Sequence, residues 1–303
     1  MFCASPGQKD EAMRSVKFLV AAGAASLLSS AAFAADMPIM PPPNYAPPVQ
    51  DFGGWYLRGD IGFSNQNVNS LKLDDPAQYS GLSSFNQTTH FDAAGTYQIG
   101  VGYQFNNWFR ADITGQYRGS ANFKGTDLTS FPWGGATANG MDNYSASKSE
   151  LLFLANAYAD LGTWWCVTPF IGAGVGAARV SIAGFTDTGV TNANFTVGPP
   201  AVPVVSGPPV ASFATAASGS QWNFAWALHA GLAYRVTPNV TLELAYSYVN
   251  LGDGITGVAS TFDGSSGGHV FKFNNITSND VTLGVRWNFD NPEVYAPPLV
   301  TKG

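Results

Sequence analysis

The feature that most constrains this chain is a strict alternation of apolar and polar side chains, repeated in segments of about ten residues. Such alternation places apolar side chains on one face of a β-strand and polar or tiny ones on the other. Eight segments predict eight strands: Trp55–Phe63, Gly95–Phe105, Trp108–Arg118, Glu150–Leu161, Thr168–Val180, Trp222–Val236, Val240–Tyr248 and Asp280–Phe289. Only the fifth is ambiguous in phase, because Gly172, Gly174 and Gly176 alternate there with small apolar residues.

The connections between these segments alternate in length. Those after the second, fourth and sixth strands have about 2, 6 and 3 residues, whereas the others have about 30 or more. A soluble sandwich has no reason for this parity, but outer-membrane barrels have short periplasmic turns and long outer loops. We therefore predict an all-β fold, an eight-stranded antiparallel up-and-down transmembrane β-barrel with both termini in the periplasm. A further hairpin near the fifth strand would give ten strands.

The composition fits a membrane barrel better than a soluble protein. Only 11% of the residues are charged, while 34 are glycine and 14% are aromatic. Mature soluble β-proteins carry more surface charge than this. The net charge of −6 and the scattered Lys and Arg residues argue against nucleic acid as a partner.

The N-terminal segment has the pattern of a secretory signal. A short basic stretch precedes an apolar run, Phe18–Leu28, and Ala32-Phe33-Ala34 is a small-x-small cleavage site. We predict a signal peptide over residues 1–34, with the true start at Met13. Residues 35–51 form a proline-rich periplasmic leader, residues 52–289 the barrel, and residues 290–303 a periplasmic tail.

The polar faces of the predicted strands collect charge near the short turns. An eight-stranded barrel is just wide enough for its side chains to fill it, so opposite charges there are expected to pair and plug the lumen. Two alternatives are the selectivity filter of a small-solute porin and a catalytic cluster. The predicted lumen charge cluster comprises Arg58, Asp60, Arg110, Asp112, Asp160, Arg235, Glu243 and Arg286.

The apolar faces carry aromatic residues beside the same short turns. Trp and Tyr are enriched where a membrane meets water, so these residues predict an aromatic girdle at the periplasmic rim. Its members are Trp55, Tyr103, Phe105, Trp108, Tyr234, Trp287 and Phe289.

Four motifs resemble one known family. They are GWYLRGDIG (Gly54–Gly62), ANAYADLG (Ala155–Gly162), PFIGAGVG (Pro169–Gly176) and VTLGVRWNF (Val281–Phe289). The chain resembles the small outer-membrane β-barrels of alphaproteobacteria, which are related to opacity proteins and the OmpA-type transmembrane barrel. The last motif is similar to the closing strand that the barrel-assembly machinery reads. Family barrels commonly end at that aromatic residue, whereas fourteen residues follow Phe289 here.

The histidines are weak candidates for chemistry. His229 shares the inward face with Ser247 and Glu243, an arrangement that a lipid-modifying enzyme would need, but lipid does not reach a closed lumen. His90 and His269 fall in predicted loops and lack metal-ligand spacing. We therefore predict no enzyme activity, no cofactor and no metal site.

The loop between Ser181 and Ser220 contains the proline-rich stretch GPPAVPVVSGPP (Gly198–Pro209), which favours an extended, exposed backbone. Exposed loops are where such barrels contact ligands. The main hypothesis is a plugged barrel that serves envelope integrity and surface interaction, with outer-membrane lipids, lipopolysaccharide, the barrel-assembly machinery and host or surface ligands as partners. The alternatives are a small-solute porin and a barrel that binds haem or another surface ligand through its loops.

Overall fold

The computed structural model describes residues 53–133, 136–196 and 204–289. Its strands are β1 (Gly54–Leu73), β2 (Ser84–Phe91), β3 (Ala94–Gln104), β4 (Phe109–Trp133), β5 (Ala136–Asp160), β6 (Val167–Thr196), β7 (Val204–Ser206), β8 (Val210–Ala216), β9 (Gly219–Arg235), β10 (Val240–Thr261) and β11 (Val270–Asn288). A single helical turn, α1 (Ala77–Ser80), lies between β1 and β2. In these ranges, no helix has the length and apolar character to cross a membrane. The predicted signal peptide, leader and tail lie outside the described residues.

Eight of the strands close into a ring. β1, β3, β4, β5, β6, β9, β10 and β11 pair antiparallel in that order, and β11 pairs with β1 from Tyr56↔Asn288 to Leu73↔Phe271. The predicted eight-stranded up-and-down barrel is confirmed, and the alternative of ten strands is wrong. We call the end that carries the Asn106–Asn107 and Thr237–Asn239 turns the turn end, and the opposite end the hairpin end.

The strands extend much further toward the hairpin end than the alternation predicts. β4 and β5 remain paired up to Trp133↔Ala136, so the predicted loop between Arg118 and Glu150 is mostly strand. A tilted strand crosses a bilayer in about 9–11 residues, and β4 and β5 have 25 residues each. The barrel therefore has a membrane-sized lower part and a long upper part, which we call the hairpin extension.

Two additional strands complete the wall of the hairpin extension. β2 pairs with β4 from Ser84↔Ser130 to Phe91↔Phe123, in the place that β3 takes lower down. β8 pairs with both β6 and β10, in the place of β9. The extension is thus again surrounded by eight strand segments, with β7 paired only to β6.

A β-bulge marks the start of the extension on β4. The pairing with β5 shifts between Arg118 and Ala121, so the residues of β4 change faces there. Below the bulge, Ile113 and Tyr117 face outward and are exposed; above it, Ala121 and Phe123 face inward and are buried. The apolar residues keep the same spacing in the sequence, but the bulge moves them from the outside of the barrel to its interior.

The structure settles which residues of β6 face the lumen, a point that the sequence leaves ambiguous. Gly172, Gly174 and Gly176 face inward, and a β-carbon on Gly172 or Gly174 would meet the side chain of Tyr158 or Asn156. Glycine is required at these two positions because large side chains of β5 lie directly over them. Ile171 and Val175 accordingly face outward.

A belt of exposed apolar side chains surrounds the lower part of the barrel. It comprises Leu57, Ile61, Ile99, Val101, Ile113, Phe153, Ile171, Val175, Leu228, Leu232, Leu242, Leu244, Val281, Leu283 and Val285. Soluble proteins rarely expose so large a continuous apolar surface. A closed barrel satisfies its backbone hydrogen bonds internally, as a hydrocarbon environment requires. The belt therefore identifies the lower part as the membrane-spanning part.

Candidate functional site: the filled lumen

The lumen near the turn end holds a network of buried charges. Arg58, projecting from β1, contacts Asp60 at 2.9 Å and Asp112 of β4 at 3.1 Å through its guanidinium nitrogens. Arg110 contacts Asp160 of β5 at 3.3 Å. All of these side chains are buried, so each charge is compensated by a neighbour instead of by bulk water.

Glu243 of β10 is the centre of this network. Its carboxylate lies 3.4 Å from a guanidinium nitrogen of Arg58, of Arg110 and of Arg286. These arginines come from β1, β4 and β11, so one carboxylate links strands on several sides of the barrel. The sequence places these residues correctly on the inward face but does not indicate that Glu243 is shared by three cations.

Aromatic rings fill the space around the charges. The Arg110 guanidinium lies 4.3 Å from the ring centroid of Tyr158 and 4.7 Å from that of Phe170. The Tyr56 hydroxyl donates a hydrogen bond of 3.1 Å to Asp112. Cations stacked on rings are both desolvated and stabilised, so this layer is a packed structure with little room for solute.

Arg235 is a correction to the predicted cluster. It ends β9 at the turn end and is exposed, whereas Arg58, Asp60, Arg110, Asp112, Asp160, Glu243 and Arg286 are buried inside the ring. Alternation gives the face of a residue but not its depth. Arg235 has the inward phase but lies at the rim, where its side chain reaches water.

A second polar layer lies further up the lumen, at the border of the hairpin extension. Arg118 contacts Asp280 at 2.5 Å, and the ammonium of Lys148 contacts Glu150 and the side-chain oxygen of Gln66. All five side chains are buried. Lys148 precedes the predicted start of its strand at Glu150. The two-residue spacing between Lys148 and Glu150 is the sequence signal that places both side chains on the same face of the strand.

His229 and Ser247 do meet, between the two polar layers. The Nδ1 atom of His229 lies 2.8 Å from the Ser247 hydroxyl, and its Nε2 atom lies 3.2 Å from the side-chain oxygen of Asn156. Glu243 instead contacts arginines, so no carboxylate orients the imidazole as a Ser-His-acid relay requires. A cavity of about 20 Å³ beside them, lined also by Arg58 and Leu154, has room for about one water molecule.

Above the second polar layer, apolar side chains point into the lumen and pack against one another. The ring centroids of Phe123 and Phe273 are 4.9 Å apart, those of Phe91 and Phe123 5.0 Å, and those of Phe185 and Phe271 4.4 Å. These five rings are buried and come from four different strands, since Phe271 and Phe273 both belong to β11. The interior of the extension is thus a hydrophobic core, which the sequence interpretation of this region as loops missed.

Three carboxylates line the extension above this core. Burial, together with the smaller effect of the charges of Asp142 and Asp127, raises the pKa of Asp187 to about 7. Burial also raises the pKa values of Asp142 and Asp127. Gln87 and Tyr144 donate hydrogen bonds of 2.8 and 3.2 Å to Asp127. In the described part of the chain, no group of His, Cys, Asp or Glu side chains has the arrangement of a metal site.

The predicted girdle residues lie at the turn end with their rings on the outer surface. Trp55, Phe105, Trp108, Tyr234, Trp287 and Phe289 are exposed, and Tyr103 is half-buried between two neighbours. The ring centroid of Tyr103 lies 5.4 Å from that of Trp55 and 5.1 Å from that of Phe105. His90 and His269 lie apart from the lumen, near Asp92 at 3.8 Å and Asp74 at 3.1 Å respectively.

Comparisons with known proteins identify a matching family and several similar chains. Residues 20–289 match the family described as outer membrane protein beta-barrel domain. An uncharacterized protein of Brucella abortus (strain 2308) is 32% identical over 238 residues, which cover 74% of this chain and 78% of the relative. A putative adhesin of Rickettsia felis is 29% identical over 278 residues, covering 89% and 97%. The crystal structure of Neisserial surface protein A gives a TM-score of 0.39 at 16% identity, covering 78% of this chain and 97% of that protein.

Proposed function

Because this chain belongs to the outer membrane protein β-barrel domain family, we propose that it is an integral outer-membrane barrel with a closed lumen. Its role is envelope integrity and surface interaction, carried by the hairpin extension on the cell exterior. The turn end, with its short connections and aromatic girdle, faces the periplasm together with both termini. No catalytic step is assigned to the His229–Ser247 pair, since neither side chain faces lipid and the imidazole has no carboxylate as a hydrogen-bond partner.

The observation that carries the closed lumen is the filling of the barrel at three successive levels. Glu243 and its arginines fill the turn end, Arg118 and Lys148 fill the middle, and Phe123 with its neighbouring rings fills the extension. A solute would have to displace buried ion pairs and then a packed apolar core. Separating one buried ion pair costs about 3–5 kcal/mol, and a passing solute would have to separate several such pairs and also open the apolar core.

Planar-bilayer recording of the refolded full-length protein tests this proposal. We expect no stable conductance steps from protein whose folding is verified by heat-modifiable migration on a gel. A double variant, Phe123→Ser with Phe273→Ser, is recorded in the same way once it has passed the same folding test. Its conductance shows whether the apolar core obstructs the current. Stable openings of the wild-type barrel would establish the small-solute porin instead.

Surface interaction is supported by the length and order of the hairpin extension and by the name of the Rickettsia felis relative, a putative adhesin. β4 and β5 hold their connection far from the apolar belt, where a ligand on another cell can reach it. Cells that display the wild-type protein are compared with cells whose β4–β5 hairpin is shortened by replacing residues 122–145 with a two-residue turn. We expect the shortened variant to lose attachment to host cells while it remains folded and displayed. Equal attachment would remove this role from the hairpin.

The binding of haem, kept as an alternative for the loops, has a separate readout. Haemin titrated against wild-type and hairpin-shortened protein should give the same weak, unsaturable absorbance change if the extension acts by adhesion alone. A saturable haemin complex that disappears on shortening would replace adhesion by ligand capture as the function of this region.

A further inference from the structure

The outer face of β5, β6 and β9 changes character abruptly at the upper edge of the apolar belt. Two rows of apolar residues cross these strands: Ala155–Val175–Trp226 and, above it, Phe153–Ala177–Phe224. The next row is Leu151–Arg179–Trp222, in which Arg179 lies directly opposite both neighbours. The row above consists of three serines, Ser149, Ser181 and Ser220.

Arg179 is therefore placed at the boundary of the membrane. It lies 12 residues beyond Val167, the first residue of β6, and a tilted strand crosses the hydrocarbon region in about 9–11 residues. The exposed Leu151 and Trp222 on either side of it face the same surroundings as the belt below. A guanidinium at this level meets the headgroup region, where an anion lowers the cost of holding a charge close to hydrocarbon.

The polar surroundings of Arg179 fit a phosphate. Its Nη2 atom donates a hydrogen bond of 3.2 Å to the Ser220 hydroxyl, and among the described residues it makes no ion pair. A guanidinium has five N–H donors arranged in a planar fork, so most remain available for an oxyanion. The hydroxyls of Ser149 and Ser181 lie in the adjoining row and add two further donors.

The other exposed cations do not share these surroundings. Lys72, Lys124 and Lys272 are exposed on the hairpin extension, and Arg235 is exposed at the turn end. Among the described Lys and Arg residues, Arg179 alone combines an outward position with aromatic and aliphatic neighbours of the belt. The apolar neighbours Leu151 and Trp222 lie beside the cation and Phe153 lies in the row below it, so together they offer a surface for an acyl chain. The rings of Phe153 and Trp222 stack there with centroids 6.2 Å apart.

We propose that this face binds a phosphorylated lipid of the outer leaflet. The phosphate is held by Arg179 and the serine row, and an acyl chain lies along Phe153, Leu151 and Trp222. The inference rests on the proposed orientation of the barrel, in which the hairpin end is outside. It adds a specific lipid site to a surface that is otherwise a general contact with hydrocarbon.

Native mass spectrometry of the full-length protein in detergent tests the site, with diphosphorylated lipid A as the probe. We expect Arg179→Gln to weaken the first lipid-binding event by about tenfold, the effect of losing a charge-assisted hydrogen bond. Arg179→Lys should fall between wild type and Arg179→Gln, since it keeps the charge but not the planar fork. Lys124→Gln, which removes an outward cation from the hairpin extension, should bind like wild type. Folding of every variant is verified by heat-modifiable gel migration.

Two further probes separate a lipid site from a free-phosphate site. Lipid A from which both phosphates have been removed should bind wild type as weakly as diphosphorylated lipid A binds Arg179→Gln. Inorganic phosphate at the same concentration should not displace the lipid. Displacement by phosphate, equal binding by wild type and Arg179→Gln, or an equal loss in Lys124→Gln would each overturn the proposal. None of these readouts depends on whether the lumen conducts, so the site and the closed-lumen function can fail independently.

Discussion

The side-chain amide of Gln87 exchanges two hydrogen bonds with the backbone of Leu71. The Leu71 N–H donates to the Gln87 Oε1 atom at 2.8 Å, and the Gln87 Nε2 atom donates to the Leu71 carbonyl at 2.7 Å. Between β1 and β2 no backbone pairing occurs in the described residues, and this amide takes the place of a ladder pair. Gln87 thereby closes the ring of eight strand segments around the hairpin extension at the seam between β1 and β2. Its Nε2 atom also donates a hydrogen bond of 2.8 Å to Asp127.

Replacement of Gln87 tests this closure. Gln87→Ala should increase the hydrogen-exchange rate of the Leu71 amide by about 5- to 20-fold, because each lost hydrogen bond contributes about 1 kcal/mol. The exchange of amides in the membrane-spanning part of β1 should not change. Asn86→Ala, at the adjacent exposed position of β2, is the matched control and should leave Leu71 protected. Equal exchange in both variants would mean that the seam does not depend on the Gln87 amide.

Glu243 should be the most sensitive position in the lumen. Glu243→Gln preserves the shape of the side chain but removes the charge shared by Arg58, Arg110 and Arg286. We expect the free energy of unfolding in detergent to fall by about 3–5 kcal/mol, since three buried guanidinium groups lose their common counter-charge.

The matched variant is Arg235→Gln, which removes a charge of the same face at the exposed rim. Its effect should stay within about 0.5 kcal/mol. Urea unfolding followed by tryptophan fluorescence measures both variants. A comparable loss in Arg235→Gln would show that Arg235 belongs to the lumen network in spite of its exposure.

Gly172 should not tolerate a side chain. A methyl group there would meet the ring of Tyr158 and the carbonyl oxygen of Ala157. Gly172→Ala is expected to destabilise the barrel by about 1–3 kcal/mol, the usual cost of inserting an atom into a filled interior. Ala173→Val, the neighbouring substitution on the exposed outer face, should change the urea midpoint little, and a larger loss from it than from Gly172→Ala would contradict the inward phase of β6.

The hairpin extension should lose stability as pH rises from about 4 to 7. The pKa of Asp187 is raised to about 7 in the folded protein, first by burial and then by the charges of Asp142 and Asp127. An unfolded aspartate has a pKa of about 3.9, so in this window the folded state binds the additional proton, and deprotonation favours opening.

Limited proteolysis of the extension at pH 5.0 and 7.5, corrected for protease activity, measures this effect. Wild type should be cleaved faster at pH 7.5, whereas Asp187→Asn should be cleaved at similar rates at both pH values. Asp263→Asn is the control, because hydrogen bonds from Thr261 and Ser265 lower the pKa of Asp263 to about 2, well outside this window. If Asp263→Asn also lost the pH effect, the effect would come from the net charge of the extension and not from Asp187.

The lower part of the barrel could be predicted from the sequence because lipid imposes a strict rule on its outer face. Residues such as Leu57 and Ile61 must be apolar there, so the alternation is clear and gives the faces correctly. The alternation does not give the depth of a residue along the barrel axis, so it predicts Arg235 inside the lumen although its side chain lies at the rim. Nor does it give the identity of partners, so the sharing of Glu243 could not be found.

The hairpin extension could not be predicted in the same way because its apolar residues face inward, whereas those of the lower part face outward. Its outer face meets water, and its interior takes apolar side chains such as Phe123 and Phe273. The bulge between Arg118 and Ala121 exchanges the two faces without interrupting the apolar spacing in the sequence. The Gln87 bridge is equally invisible, since a glutamine in a polar segment carries no sign that it replaces a backbone pair.

The pairing of β4 with β5 over almost their whole length has a mechanical consequence. The ladder runs from Phe109↔Ala159 at the turn end to Trp133↔Ala136, next to the hairpin tip, with one irregularity between. A pull on the tip acts along the strands and loads their hydrogen bonds with β2, β3 and β6 in parallel instead of opening them one after another. The tension therefore passes into the lipid-embedded ring before β4 and β5 separate from their neighbours. A ligand bound at the hairpin tip would dissociate from the tip before the strands of the extension separate.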